Sequence, residues 1–211
     1  MKNKIIRIAK KYHADQRRKY TNEPYYNHLR NVAELVKNHG GDNNQVYAAL
    51  LHDILEDTPM TESELKKILI DKGLPLCDAI DVVGMVVDLT DVYTSEEYPH
   101  QNRKLRKIRE NGRFSKVSER SKFIKCADLI DNTKSIVEHD PKFAKIYLKE
   151  KLSLLHSWSN PQIESKGLKS GETVKSIWMI AWLNCHFSIR DLIEEEDMSA
   201  WFDDMESMIH E

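Results

Sequence analysis

Glycine and proline are scarce in this chain of 211 residues, which contains seven of the first and six of the second. Average usage predicts about 25 residues of these two types together at this length. Both types mark turns, and folds built from many short strands need many turns. Their scarcity therefore argues against a β-sandwich or a β-barrel and favours long helices.

Cysteines and long apolar runs are also few. The three cysteines, at positions 77, 126 and 185, lie far apart and form no Cys-x-x-Cys pair. This spacing argues against a disulfide framework and a zinc knuckle, so reduced thiols are expected. The longest apolar run, residues 177–183, is far shorter than a membrane span of about 20 residues. The charged N-terminus is not typical of a signal peptide. We therefore expect a cytoplasmic protein with no membrane partner.

The charge of the chain is nearly balanced in total but strongly segregated. The formal net charge of −2 argues against a simple basic protein that binds nucleic acid. Residues 1–30 hold nine Lys and Arg against two acids, residues 101–125 hold ten against two, and residues 192–211 hold eight acids and no Lys or Arg. Solvated helix faces would account for many of these side chains. Basic groups around a site also attract small polyanions, so the distribution favours a polyphosphate ligand over nucleic acid.

Apolar periodicity predicts helices along the whole chain and no period-2 strand. The predicted helices cover residues 3–18, 24–40, 42–57, 61–72, 75–90, 98–111, 117–138, 141–157 and 172–195, followed by an acidic final helix. Residues 159–171 are rich in Ser, Gly and Pro and predict a boundary. We expect an all-α bundle with a core over residues 1–155 and a C-terminal helical extension over residues 156–211.

The third predicted helix combines an apolar circumference with four polar groups. Apolar residues surround nearly the whole helix, which is typical of a buried central helix. His52, Asp53, Glu56 and Asp57 nevertheless fall within an arc of about 140° at about 100° per residue. Three carboxylates in such a place would repel one another and lose hydration. A metal ion removes this difficulty, whereas the alternative is a cleft edge where the acids face solvent.

Further metal ligands must come from other helices. Asp128 has apolar neighbours in the predicted helix over 117–138, and Asn132 lies four residues later, so both point the same way. His28, in the second helix, is the remaining candidate. The other histidines, His13 among them, are expected to be ordinary core or surface residues.

Four sequence blocks, in this order, resemble the HD-domain superfamily. Within it they resemble the hydrolase domain of RelA/SpoT-type enzymes and the small alarmone hydrolases. The matching blocks are HADQRRK at 13–19, PYYNH at 24–28, AALLHDILEDT at 48–58 and KCADLIDN at 125–132. The resemblance covers roughly residues 4–150 and implies an HD-domain helical bundle.

The resemblance also implies a role for each matching residue. His28, His52, Asp53 and Asp128 would bind one divalent ion, which is manganese in this family. Glu56 and Asp57 would position and deprotonate the attacking water. Arg18 and Lys19 would line the nucleotide and phosphate pocket, and Asn132 would contact the nucleotide. The family reaction removes pyrophosphate from the 3′ position of guanosine tetra- or pentaphosphate.

Other functions stay open on the sequence alone. A related phosphohydrolase could act as a nucleotidase, as a dNTP triphosphohydrolase or on the 2′-phosphate of NADPH, and a catalytically silent nucleotide-binding module is a further alternative. All four tryptophans lie in the C-terminal part, at positions 158, 178, 182 and 201. We expect them to pack on the bundle; an interface in a homo-oligomer and a lid over the substrate pocket are alternatives.

Overall fold

The computed structural model describes residues 1–157, 177–193 and 195–210. Within these ranges the chain forms eleven helices and no strand, apart from an isolated β-bridge between Arg17 and Pro24. The prediction of an all-α fold is confirmed. The helices are α1 (Lys2–Tyr12), α2 (Tyr26–Asn38), α3 (Asn43–Leu51), α4 (Ile54–Asp57), α5 (Glu62–Asp71), α6 (Leu76–Leu89), α7 (Arg103–Phe114), α8 (Glu119–His139), α9 (Pro141–Ser157), α10 (Ile177–Leu192) and α11 (Glu195–His210).

The chain forms two compact units, and α8 contributes to both. The first unit comprises Met1–Asp91 and Val117–Asp131, and the second comprises Val92–Lys116 and Asn132–Glu211. The predicted division into a core over 1–155 and an extension over 156–211 stays a prediction. None of the described helices combines the length and the apolar character that a membrane crossing requires.

Helix α3 is the centre of the first unit and contacts α1, α2 and α6. Every residue from Gln45 to Leu51 is buried, as the apolar circumference predicts. Its N-terminus is a capping box, in which the Asp42 side chain accepts from the Gln45 amide and the Gln45 side chain accepts from the Asp42 amide. Arg120 at the start of α8 pairs with Asp42 and with Asp81 on α6. These ion pairs connect the start of α8 with the N-terminus of α3 and with α6.

Two predicted helices differ from the observed ones, one in its end and one in its continuity. Helix α1 ends at Tyr12 rather than at residue 18, because Arg17 and Arg18 turn to pair with Pro24 and Glu23 in the following loop. The predicted helix over 42–57 is interrupted between α3 and α4, where Asp53 has φ −94° and ψ 0°. The prediction of a single helix through His52 and Asp53 is therefore wrong.

Helix α9 is the centre of the second unit and contacts α7, α10 and α11. Three indole groups donate hydrogen bonds to it: Trp178 to the Leu155 carbonyl, Trp182 to the His156 ring and Trp201 to the Lys145 carbonyl. Trp158 and the predicted boundary over 159–171 lie outside the described residues.

Candidate metal centre

Two imidazoles and two carboxylates from three parts of the first unit converge on one point. His28 comes from α2, His52 and Asp53 from the interruption between α3 and α4, and Asp128 from α8. Asp53 Oδ2 lies 3.1 Å from His52 Nε2 and 3.8 Å from His28 Nε2. Asp128 Oδ1 lies 3.3 Å from His28 Nε2 and 3.7 Å from His52 Nε2. The structure therefore brings together all four residues that the sequence suggested as ligands.

The second nitrogen of each imidazole is held by an acceptor outside this cluster. His52 Nδ1 donates to the Ala49 carbonyl at 2.8 Å, and His28 Nδ1 donates to Asp131 Oδ2 at 2.7 Å. In a neutral imidazole with a proton on Nδ1, Nε2 presents a lone pair. His52 Nε2 is buried and makes no hydrogen bond, although Asp53 Oδ2 lies 3.1 Å away. Both rings thus present their Nε2 atoms to the centre of the cluster.

The two carboxylates are oriented by neighbouring donors. The Tyr25 hydroxyl donates to Asp53 Oδ2 at 2.8 Å. The Lys125 ammonium donates to Asp128 Oδ2 at 3.0 Å, which leaves Asp128 Oδ1 directed at the two imidazoles. Asp128 can therefore bind an ion through Oδ1, whereas in Asp53 the oxygen that accepts from Tyr25 is also the one that faces the two imidazoles.

This donor set fits a divalent metal ion. Donors bound to one ion at about 2.1 Å are separated by about 3.0–3.4 Å in tetrahedral or octahedral geometry. The separations in the cluster, 3.1–3.8 Å, are close to this range. The donors of His28, His52 and Asp53 all lie within 4.8 Å of one another. The unpartnered His52 nitrogen supplies a second reason, because a buried polar atom without a partner is costly.

The pKa values of the cluster residues are shifted because several charged groups lie close together. Burial opposes the charged form of His28, but the bonds to Asp128 and Asp131 outweigh it and raise its pKa to about 9. The pKa of His52 is also raised, against the effect of burial, by Asp53 and Asp128. Burial would raise the pKa of Asp128, yet Lys125 and the two imidazoles hold it well below its usual value. The neighbouring carboxylates therefore favour the protonated form of both imidazoles.

Glu56 and Asp57 follow the cluster on the short helix α4. Glu56 Oε2 accepts a hydrogen bond from the Asp91 backbone amide at 3.1 Å. The Glu56 side chain remains accessible to solvent, but the surrounding protein partly desolvates it. This desolvation, together with the charge of Asp91, raises its pKa to about 7. Desolvation and the charge of Asp53 also raise the pKa of Asp57. Glu56 can therefore exchange a proton near neutral pH.

The three residues assigned to substrate binding by the resemblance differ in their placement. The Arg18 guanidinium lies 3.6 Å from Asp131 Oδ2, the carboxylate that holds His28. Lys19 is exposed, and its ammonium lies 3.3 Å from the Tyr20 hydroxyl. Asn132 lies one helical turn after Asp128 on α8 and is the first residue of this segment in the second unit.

Three basic residues among residues 1–30 line a groove that is separate from the metal centre. Lys4, Arg7, Lys11 and Lys72 surround a space of about 400 Å³ between α1 and the end of α5. None of the cluster residues lines it. The basic residues among residues 1–30 therefore do not all lie at the metal centre. Some line this groove, whereas Arg18 lies beside the cluster.

Sequence reasoning missed three residues that surround the cluster, namely Tyr25, Lys125 and Asp131. Each lies inside one of the quoted sequence blocks and three residues from a candidate ligand, at His28 for Tyr25 and at Asp128 for the other two. This spacing of three residues from a candidate ligand was the signal in the sequence that could have identified them. Their partners could not be inferred because Tyr25 and Asp131 act across separations of 28 and 103 residues.

Comparison with known proteins places these residues in a family context. The family model described as the HD domain matches residues 6–158. The chain is 36% identical over 132 residues to the guanosine-3′,5′-bis(diphosphate) 3′-pyrophosphohydrolase MESH1 of Drosophila melanogaster, over 61% of this chain and 65% of that protein. It is 32% identical over 129 residues to the guanosine-3′,5′-bis(diphosphate) 3′-pyrophosphohydrolase of Aquifex aeolicus, over 61% of this chain. The match spans only 17% of the Aquifex protein.

A solved structure supports the fold independently. It is described as "A metazoan ortholog of SpoT hydrolyzes ppGpp and plays a role in starvation responses", and it matches with a TM-score of 0.54 and 22% sequence identity. The match covers 96% of this chain and 92% of the other. The family model matches well over half of the chain and includes every residue of the cluster. The chain belongs to the HD domain family.

Proposed function

We propose that this protein is a metal-dependent guanosine-3′,5′-bis(diphosphate) 3′-pyrophosphohydrolase. The reaction adds water to the phosphorus that carries the 3′ oxygen of guanosine tetraphosphate. The bond between that phosphorus and the 3′ oxygen breaks, and the products are GDP and pyrophosphate. The observation that carries the proposal is the convergence of two imidazoles and two carboxylates beside Glu56. The likeness to the MESH1 and Aquifex relatives, both named as guanosine-3′,5′-bis(diphosphate) 3′-pyrophosphohydrolases, supports this substrate.

His28, His52, Asp53 and Asp128 would hold the metal ion, for which we propose manganese. A divalent ion at this place would lower the pKa of a water ligand and offset charge that develops on the phosphorus. Four protein donors leave coordination positions for water and a phosphate oxygen in a six-coordinate ion. Tyr25 and Lys125 would keep the two carboxylates in place through their hydrogen bonds.

Glu56 would accept the proton of the attacking water. A pKa of about 7 allows it to be deprotonated in a large fraction of molecules and still bind the proton effectively. The bond from the Asp91 amide occupies Oε2 and leaves Oε1 for the water. A bound metal ion would lower the raised pKa of Glu56 and increase the deprotonated fraction. Asp57, on the same helix, would help to position the water.

Arg18 and Lys19 would bind the phosphate groups, and Asn132 would contact the nucleotide. Arg18 supports this role because its partner Asp131 also contacts the candidate ligand His28. A guanidinium binds phosphate oxygens through two parallel hydrogen bonds. The cytoplasmic location and the oligomeric state stay predictions.

A substrate panel tests the proposal. Protein loaded with Mn²⁺ is incubated with guanosine tetraphosphate, dNTPs, NADPH and nucleoside monophosphates, with Asp53→Ala as the inactive control. We expect equal amounts of GDP and pyrophosphate from guanosine tetraphosphate alone. Turnover of another compound without turnover of the tetraphosphate would overturn the substrate assignment. Binding of the tetraphosphate with no product from any compound would indicate a silent module.

A further inference from the structure

We propose that Asp131 is a positioning residue for the metal centre, acting through His28. This inference rests on the metal site of the proposed function. It adds a residue that is not among the ligands suggested by the sequence. Asp131 would fix the proton of His28 on Nδ1 and the orientation of the ring, so that Nε2 meets the ion.

The contact between Asp131 and His28 is short and shielded from water. Asp131 Oδ2 accepts from His28 Nδ1 at 2.7 Å, and the His28 side chain is only 1% exposed. On the opposite side of the ring, Nε2 lies 3.3 Å from Asp128 Oδ1. The imidazole is thus placed between one carboxylate that accepts the hydrogen bond from Nδ1 and another that faces the candidate metal position.

Asp131 is itself held by two other groups. Asn31 Nδ2 donates to its Oδ1 at 3.0 Å, and the Arg18 guanidinium lies 3.6 Å from its Oδ2. Its side chain is 17% exposed. Asn31 lies one turn after His28 on α2, so the same helix supplies the imidazole and a support for the carboxylate that orients it. This arrangement limits the rotation of the His28 and Asp131 side chains.

The chemical consequence concerns which nitrogen carries the proton. Without an acceptor at Nδ1, a neutral His28 could place its proton on Nε2 and donate it to Asp128 Oδ1. That tautomer has no lone pair directed at the ion. A carboxylate at Nδ1 favours the productive tautomer and makes Nε2 a stronger donor to the metal, and loss of such a partner lowers metal affinity by about 10–100-fold.

The test is the affinity for Mn²⁺, measured by titration calorimetry and by the electron paramagnetic resonance signal of free Mn²⁺. Asp131→Ala should weaken binding by about 10–100-fold. Asp131→Asn should weaken it less, by roughly 3–10-fold, because an amide oxygen still accepts from Nδ1 but carries no charge. Glu34→Ala is the matched control, since it removes an exposed ion pair with Arg30 on the same helix α2 and leaves the bond between Asp131 and His28 in place. It should change the affinity by less than about threefold.

Wild-type affinity in Asp131→Ala would overturn the proposal. Thermal unfolding of the metal-free variants shows whether they fold; if Asp131→Ala does not, wild-type affinity in Asp131→Asn would overturn it equally. The readout does not depend on turnover. If the wild-type protein binds Mn²⁺ but does not hydrolyse guanosine tetraphosphate, the proposed function fails while the role of Asp131 is still decided.

Discussion

Replacing Glu56 by glutamine should stabilise the metal-free protein at alkaline pH while it abolishes turnover. Glu56 has a pKa of about 7 in the folded protein, against a reference value of 4.5. A carboxyl whose pKa is raised on folding favours the folded state fully below the reference value. That contribution is lost as the pH rises through the folded value. Glutamine is uncharged at every pH and can still accept from the Asp91 amide. The variant therefore does not lose stability as the pH rises.

The size of the effect follows from the shift in pKa. One pKa unit corresponds to about 1.4 kcal/mol, so the full shift would amount to about 3 kcal/mol at pH 8. More than a third of the Glu56 surface is accessible to solvent, and screening by water reduces the effect to about 1–2 kcal/mol. For a protein of this size, each kcal/mol raises Tm by about 2–4 °C. We therefore expect Glu56→Gln to unfold at a temperature about 2–8 °C higher at pH 8.

The assay is thermal unfolding followed by circular dichroism, in the presence of a chelator, at pH 5 and pH 8. Glu62→Gln is the matched control, because Glu62 is exposed on α5. The stabilisation by Glu56→Gln should be much larger at pH 8 than at pH 5, and the control should show no such difference. If Glu56→Gln and Glu62→Gln change Tm by the same amount at both pH values, the reasoning is refuted. A variant that keeps normal turnover with Mn²⁺ would remove Glu56 from the mechanism.

Three further substitutions test other contacts. Asp128→Ala should abolish both metal retention and turnover, as measured by titration calorimetry and product release; an active variant would show that the ligand set is wrong. Tyr25→Phe removes the hydrogen bond to Asp53 and should lower Mn²⁺ affinity by about 10-fold; an unchanged titration would contradict a role for that hydroxyl. Arg120→Ala loses two partly exposed ion pairs and should destabilise the protein by about 1 kcal/mol in urea unfolding. Its kcat should stay at the wild-type value, and a large fall would show that these ion pairs also support the site.

Sequence patterns were sufficient for the fold class and for several element boundaries. Helix α5 starts at a capping box of Thr61 and Glu64, where the predicted helix over 61–72 begins, and the partners of this box are only three residues apart. Gly40, the last residue of the predicted helix over 24–40, adopts a φ of 91° two residues after α2 ends at Asn38, a conformation that glycine allows at a helix end. Local signals of this kind depend on neighbouring residues and can be recognised without knowledge of the fold.

Boundaries set by tertiary contacts were not predictable in this way. Helix α1, for example, stops early because the residues after it pair with the segment before α2. The interruption at His52 and Asp53 occurs where the ring of His52 bonds to the Ala49 carbonyl. A regular helical projection cannot represent this break, although it placed the same side chains on one arc.

For the candidate site, the ligand types were recognisable from the sequence, but their supports were not. The four proposed ligands lie in sequence blocks with distinctive composition. Their supporting groups, Tyr25, Lys125 and Asp131, are common residue types whose role depends on the direction of a single side chain. A carboxylate three residues after another on a helix is ordinary, and only the position of His28 gives Asp131 its significance.

The most direct test of the central claim is hydrolysis of guanosine tetraphosphate by the Mn²⁺-loaded protein in water enriched in ¹⁸O. Attack of water on the phosphorus of the 3′-diphosphate predicts GDP and pyrophosphate in equal amounts, with one ¹⁸O atom in the pyrophosphate and none in the GDP. Mass spectrometry of both products measures this outcome. Unchanged tetraphosphate, or ¹⁸O in GDP in place of pyrophosphate, would contradict the proposed reaction.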